Sequence, residues 1–379
     1  MKRLGDIWII VGTRPECIKQ APVFSACGDA LGADHVSLVG TGQHRDLLQT
    51  ALDDFGLTLD VNFDIMRPEQ SLPKVMAAVL TQFEELVQRR KPERVVVQGD
   101  TTTACAAALA AFQMGIEVAH NEAGLRSNDL KNPFPEEANR RIISSIADLH
   151  FAPTELAEAA LLREGVSKGR IHVVGNTGID SLFHMLEQEP PGEVVDLVRR
   201  IKATERKIVL LTAHRREAKG AGMESLFRAL KQFLSHESSV AVVYPVHPNA
   251  LGEAAAQAHI SDLTDQVHIV PPMSYRAICH VMSESYFLVT DSGGIQEEGA
   301  TLGIPTVVCR RVTERRVAVE VGIARVAGLE TEGIIAALEW AYKYGQRRKG
   351  VWTARPFGDG TAGARIAAVL AAAKGRQTL

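Results

Sequence analysis

The chain has 379 residues, 46% apolar and 23% charged, with a formal net charge of −3. That length exceeds one ordinary core and suits two α/β domains, and the charge gives no reason to expect nucleic acid or an anionic membrane as partner. Aromatic residues, at 5%, are too few for stacking platforms along single-stranded nucleic acid.

Short β-branched runs followed by longer helical patterns begin at once. Residues 7–11 predict a strand, with a helix from about Glu16. Asp6 and Arg14 interrupt this apolar stretch, so it does not read as a signal peptide. Residues 36–39 are the next predicted strand, followed by a helix from near His44. Residues 94–97 read as a buried strand and Thr101 onward as its helix; the uncharged run 101–116 is too short to span a membrane. Predicted strands at 117–120, 149–152 and 171–174 continue the series. After a polar stretch at 187–192 the pattern restarts, with strands predicted at 208–212, 240–244, 267–270, 287–290 and 306–309. The Ala-rich run 363–373 predicts a terminal helix.

This alternation implies parallel sheets with helices on both faces. The expected fold is α/β, with two doubly wound Rossmann-like domains at residues 1–180 and 181–358. A helix within 359–379 is expected to return to the first. The five cysteines (Cys17, Cys27, Cys105, Cys279, Cys309) are scattered and never in a C-x-x-C pair, which points to reduced thiols in a cytoplasmic protein rather than disulfides or zinc.

In open α/β sheets ligands bind beyond the C-terminal ends of the strands, and two such domains place the site in the cleft between them. The polar clusters fall at those strand ends. Gly12-Thr13-Arg14-Pro15-Glu16 follows the first strand. Arg14, with Lys19 one turn on, would set cations beside helix amides and suit a phosphate; a turn with a solvated arginine fits equally well. No G-x-G-x-x-G occurs there, so no nicotinamide cofactor is expected. Asp100 ends the 94–97 strand as a helix cap or an acid/base group. Glu122 ends the next strand, and Glu136 enters a later helix as a dipole-matched cap or a third carboxylate. Three carboxylates at one sheet edge suit proton transfer, because crowded like charges raise pKa values.

In the second half His214 and His247 each follow a strand without metal-ligand spacing, so no metal is expected. His214 beside Arg215 and Arg216 suits a phosphate. The strongest single signal is residues 290–299. There a strand ends, Ser292, Gly293 and Gly294 let backbone approach a ligand, and a helix opens with exposed amides. Glu298 falls within its first turns, placed to accept both hydroxyls of a ribose.

In order, GTRPE at 12–16, TGQHR at 41–45, QGDTTT at 98–103, EAGLRS at 122–127, PFPEEANRR at 133–141, TAHRRE at 212–217, YPVHPN at 244–249, TDSGGIQEE at 290–298 and TER at 313–315 cover nearly the whole chain. Together they resemble the non-hydrolysing UDP-N-acetylglucosamine 2-epimerases. The resemblance implies the GT-B fold, with UDP held mainly by the second domain. It implies a cofactor-independent homodimer that inverts C2 of UDP-N-acetylglucosamine through 2-acetamidoglucal, supplying sugar for bacterial surface polysaccharide. It places Ser292, Gly293 and Gly294 with Arg14 and His214 at the pyrophosphate, Glu298 at the ribose, and Lys19 and Arg315 in the pocket. Asp100, Glu122 and Glu136 match the proton-transfer carboxylates, with His214 completing the catalytic set.

A second, regulatory pocket is implied by Gln43, Arg215 and His247. Asp46 and Glu69 stand there in place of a Gln and an Arg, so weak activation by substrate is expected. Met273, Ile278, Arg316 and Asn121 also depart from the family pattern. A related subfamily acts on UDP-diacetamido-uronic acids, and a GT-B glycosyltransferase or a nucleotide-sugar binding protein would share the nucleotide cradle.

Overall fold

Val and Ile, stiff at χ1 and suited to a pleated surface, fill the strands of this chain, as in Ile7–Val11 and Arg94–Gln98. The computed structural model describes residues 4–42, 45–67, 70–213, 221–246, 260, 263, 265–348 and 354–374. The chain divides into two units, Met1–Ser181 with Phe357–Leu379, and Leu182–Pro356.

The first unit runs β1 (Ile7–Val11), α1 (Arg14–Leu31), β2 (Val36–Gly40), α2 (Arg45–Asp54), β3 (Val61–Asn62), α3 (Leu72–Arg89), β4 (Arg94–Gln98), α4 (Thr102–Gln113), β5 (Glu117–Asn121), α5 (Glu136–Ile146), β6 (Leu149–Ala152), α6 (Glu155–Arg163), β7 (Ile171–Val173) and α7 (Thr177–Glu187). Its sheet is parallel, in the order β3-β2-β1-β4-β5-β6-β7. β1, β2 and β4 are buried along their whole length, as a sheet covered on both faces requires. Alternate residues feed two cores. Trp8, Ile10, Val95 and Val97 pack with Val79, Phe83 and the alanines of α4. Ile7, Ile9, Val11 and Val96 pack on the opposite face with Cys17, Val23 and Leu52. Ile366, Ala367 and Leu370 of the last helix join that second core.

The chain passes between units within α7. The second unit runs α8 (Gly192–Lys202), β8 (Lys207–Thr212), α9 (Ala221–His236), β9 (Val240–Pro245), β10 (Val267–Val270), α10 (Tyr275–Ser283), β11 (Phe287–Thr290), α11 (Gly293–Leu302), β12 (Thr306–Val308), α12 (Arg316–Glu320), β13 (Ala324–Val326) and α13 (Thr331–Arg348); α14 (Ala362–Lys374) belongs to the first unit. Its parallel sheet has the order β10-β9-β8-β11-β12-β13. Val209, Leu211, Val240 and Val242 pack against Phe227, Leu230 and Leu234 of α9 and Ile334 and Leu338 of α13.

Each sheet reverses its order once, between β1 and β4 in the first unit and between β8 and β11 in the second. Such switch points open a crevice at the strand C-termini. The edge strands β3 and β13 were not expected from the sequence. Two and three residues long, they carry no alternation to read. Among the described residues no helix is long and apolar enough to cross a membrane. No three His, Cys, Asp or Glu side chains among them gather as metal ligands would.

Candidate active site

In the first unit three loops meet beyond β1, β4 and β5. The β1–α1 turn is a capping box. Thr13 Oγ1 accepts from Glu16 N, while Glu16 Oε2 accepts from Gly12 N at 2.8 Å and Thr13 N at 2.7 Å. Thr101 Oγ1 donates to the other oxygen, Oε1, at 2.6 Å. Glu16 thus ties this turn to the β4–α4 turn. Burial raises its carboxyl above the usual range, against these hydrogen bonds. The amides that the sequence reading left open for a phosphate are therefore occupied, because a carboxylate three residues into the helix reaches back to them. Arg14 is the first residue of α1 and is half-buried.

Lys19, on the next turn, is buried, and its Nζ lies 2.5 Å from Glu122 Oε1. Gln98 Nε2, from the last residue of β4, donates to Glu122 Oε2 at 2.5 Å. Glu122 is held in a left-handed backbone, φ +64°. Gly99 is left-handed too, and a Cβ there would come within 3.3 Å of Glu122 Oε2. Glycine thus lets this carboxylate lie against the β4–α4 turn.

Asp100 is the next residue. It does not cap α4, a role taken by Thr101. Its carboxylate is paired with Arg140 of α5, and its backbone carbonyl accepts from Asn139 Nδ2 at 2.9 Å. Glu136, half-buried in the first turn of α5, precedes Asn139 and Arg140 by three and four residues. That spacing sets all three on the helix face turned to Asp100. The expectation of crowded like charges is revised here, since Glu122 faces Lys19 and Asp100 faces Arg140.

Several residues of this site went unmarked in the sequence. Glu137 is fully buried, bridges Arg140 and Arg141, and accepts from the N–H groups of Ser127 and Asn128. The E-x-x-R spacing in EEANRR was the available signal. His120, fully buried, contacts the Gly99 carbonyl at 2.8 Å through Nε2; burial lowers its pKa to about 3, so it is neutral and supports the turn as a donor.

In the second unit Ser292, Gly293, Gly294, Glu298 and Arg315 meet at the start of α11. A Cβ on Gly293 would fall 2.6 Å from Arg315 Cζ. The guanidinium therefore lies over the first turn, where unpaired amides and the dipole favour an anion. Arg315 Nε donates to Glu297 Oε1 at 2.8 Å, and Nη1 to Glu314 Oε2 at 3.3 Å. Glu314 in turn pairs with the buried Arg310. Burial pushes Glu314 up, but Arg315 and Arg310 outweigh it and hold the carboxyl well below the usual range. Glu298 is buried, and Tyr275 of α10, unmarked by the sequence reading, donates to its Oε1 at 2.8 Å. Burial raises Tyr275 well above its ordinary value, so it remains a donor. His214, Gln43, Arg215 and His247 lie outside the described residues.

The sequence pattern of the family described as UDP-N-acetylglucosamine 2-epimerase matches residues 30–371. The UDP-N-acetylglucosamine 2-epimerase of Bacillus subtilis is 40% identical over 367 residues, covering 97% of this chain and 94% of that protein. The Escherichia coli protein of that name is 36% identical, covering 94% and 96%. Among solved structures, the Neisseria meningitidis enzyme bound to UDP-N-acetylglucosamine is similar at a TM-score of 0.89 and 35% identity, over 96% of this chain and 99% of that one. The Methanocaldococcus jannaschii enzyme, in complex with UDP-N-acetylglucosamine and UDP, is similar at 0.82 and 31% identity, with the same coverage.

Proposed function

Because this chain belongs to the UDP-N-acetylglucosamine 2-epimerase family, a family of isomerases, we propose that it interconverts UDP-N-acetylglucosamine and UDP-N-acetylmannosamine by eliminating and re-adding UDP. The hydrogen on C2 is not acidic in the sugar, since no carbonyl is attached to the ring carbon. Departure of UDP takes the electron pair of the C1–O bond and leaves an oxocarbenium-like ring, and the C2 hydrogen then becomes removable. A carboxylate accepts that proton as the C1=C2 bond of 2-acetamidoglucal forms. Protonation of C2 on the other face and return of UDP to C1 give the epimer.

The observation that carries this reading is the paired carboxylates of the first unit. Asp100 and Glu122 follow adjoining strands, each fixed by its own cation and neighbours. Glu136 is on the α5 face turned toward Asp100. Such groups offer proton transfer at C2 from fixed positions. The amides at the start of α11, with Arg315, suit the charge that develops on departing UDP. On this reading the reaction runs in the cytoplasm and its product supplies sugar for bacterial surface polysaccharide.

The test is incubation with UDP-N-acetylglucosamine alone in heavy water. The expected result is UDP-N-acetylmannosamine without any acceptor, with deuterium at C2 of product and recovered substrate. Conversion without C2 label overturns the elimination route. No conversion overturns the epimerase reading in favour of a transferase or a binding protein. Conversion of only the diacetamido-uronic acid analogue reassigns the substrate.

A further inference from the structure

Arg315 is held over the start of α11 by two routes. The first runs through its side chain, where Nε donates to Glu297 Oε1 and Gly293 leaves room for the guanidinium. The second runs through its backbone and involves no charge. Arg315 ends the loop that joins β12 to α12, and Thr313 stands two residues before it. Thr313 Oγ1 accepts from Arg315 N at 3.1 Å and donates to Gln296 Oε1 at 2.6 Å. Gln296 is the fourth residue of α11, and the other end of its amide, Nε2, donates to Ser292 O at 3.2 Å. The donor and acceptor roles agree along the chain of contacts. A hydroxyl that accepts from an amide gives its own proton to the glutamine oxygen, which leaves the NH2 group for Ser292. Gln296 is 0% exposed, so water does not readily take the place of either partner. The relay therefore ties Ser292, just ahead of the helix start, to the backbone of Arg315.

We propose that Thr313 and Gln296 are positioning residues for nucleotide binding: their relay docks the loop before α12 onto the first turn of α11, so that Arg315 and the α11 amides face one diphosphate as a single preformed site. Preforming matters because a long arginine side chain on an unanchored loop loses more freedom when it closes on a ligand. An apolar residue at either position fills the space but breaks the relay. The proposal rests on the reading of the α11 start as the diphosphate site.

The test uses the full-length protein with Thr313→Val, which keeps the shape and removes the hydroxyl. Gln296→Met, which fills the space without the amide, is the second variant should the first fold poorly. Hydrogen exchange at the Arg315 amide, relative to Val289 within β11, reads the relay without reference to ligand. UDP affinity by calorimetry reads its consequence. In Thr313→Val the Arg315 amide should exchange at least ~10-fold faster. UDP should bind ~3–10-fold more weakly, the scale of one hydrogen bond. Gln296→Met should move both the same way, and Thr313→Ser, which retains the hydroxyl, should keep both at their wild-type values. Beside Arg315→Ala, Thr313→Val should cost no further affinity, because both changes act through one guanidinium. Unchanged Arg315 exchange in the folded variant overturns the proposal. So does a loss of UDP affinity that persists in full beside Arg315→Ala, which would make the relay a support of the fold alone. A wild type that binds no UDP overturns the proposed function instead. One that binds UDP equally well as Arg315→Ala overturns the role of Arg315, and the positioning role with it.

Discussion

Lys19 Nζ lies 2.5 Å from Glu122 Oε1, a contact across 103 residues of sequence. It forms because α1 follows β1, β1 adjoins β4, and β4 adjoins β5, so the ends of three strands converge on one carboxylate. Gln98 engages its other oxygen. A carboxylate gripped at both oxygens has a fixed direction, which proton transfer to a carbon demands.

Charge-neutral replacement separates chemistry from binding. Asp100→Asn, Glu122→Gln and Glu136→Gln should each lower kcat by at least ~100-fold, the scale of a lost general acid or base. UDP affinity, measured by calorimetry, should be retained, because the start of α11 is untouched. Near-normal turnover in all three variants would return Asp100 and Glu136 to purely structural roles.

The first turn of α11 tests nucleotide binding. Gly293→Ala pushes the Arg315 guanidinium off the helix start and away from Glu297. Loss of one charge-assisted contact of about 1.5–3 kcal/mol should weaken UDP by ~10–100-fold. Gly294→Ala meets nothing nearer than Ser292 Oγ at 4.0 Å, so the fold should be unaffected. Any loss of UDP affinity there reports a ligand lying against that backbone, and unchanged affinity in both variants would move the phosphate elsewhere.

The Arg310–Glu314 pair predicts a pH-dependent stability. Both side chains are almost fully buried, so Glu314→Gln should cost about 3–5 kcal/mol at pH 7, the scale for breaking a buried pair. The folded carboxyl lies below its ordinary 4.5. Its contribution is therefore complete above that pH and is lost as pH falls below it, where the unfolded chain takes up a proton that the folded one refuses. Thermal midpoints of wild type and variant should differ by a constant amount above pH 5 and converge below pH ~4. A gap that widens on acidification would contradict this.

Two buried histidines predict a second titration. Burial lowers His120 to about 3 and His150 to about 4, from 6.5. Both stay neutral in the folded protein while the unfolded chain charges. The stability they contribute is complete above 6.5 and declines as pH falls toward those lower values. NMR titration should find His120 neutral at pH 5; a midpoint near 6.5 would refute the burial argument.

Regulation can be tested from the sequence pattern alone. In the second pocket that the resemblance implies, Glu69 in place of an Arg removes an attraction for a diphosphate and adds a repulsion, about 1 kcal/mol or more in a partly screened pocket. Asp46 in place of a neutral Gln adds a further repulsion. The reaction from UDP-N-acetylmannosamine should therefore start without added UDP-N-acetylglucosamine. A strict lag relieved by a trace of it would show that Gln43, Arg215 and His247 suffice for a second site.

Much of the architecture was legible because its signals are local. The β-branched runs of β1, β4 and β11 and the Ala-rich α4 declare themselves within a dozen residues, and Thr290-Asp291-Ser292-Gly293-Gly294 announces a strand, a turn and a helix start in one stretch. The edge strands β3 and β13 were illegible, being too short for a period to repeat.

By itself the sequence determined the alternation of strand and helix, the strand ends at which polar residues gather, and the carboxylates and glycines available there. Only the tertiary structure decided which partner each of them has. Glu16 closes a capping box instead of leaving amides open, Lys19 meets Glu122, Arg140 meets Asp100, and Tyr275 meets Glu298. Periodicity depends on neighbours three or four residues away, whereas a buried charge or amide takes whatever partner the packed sheets bring within 3 Å, however distant in the chain.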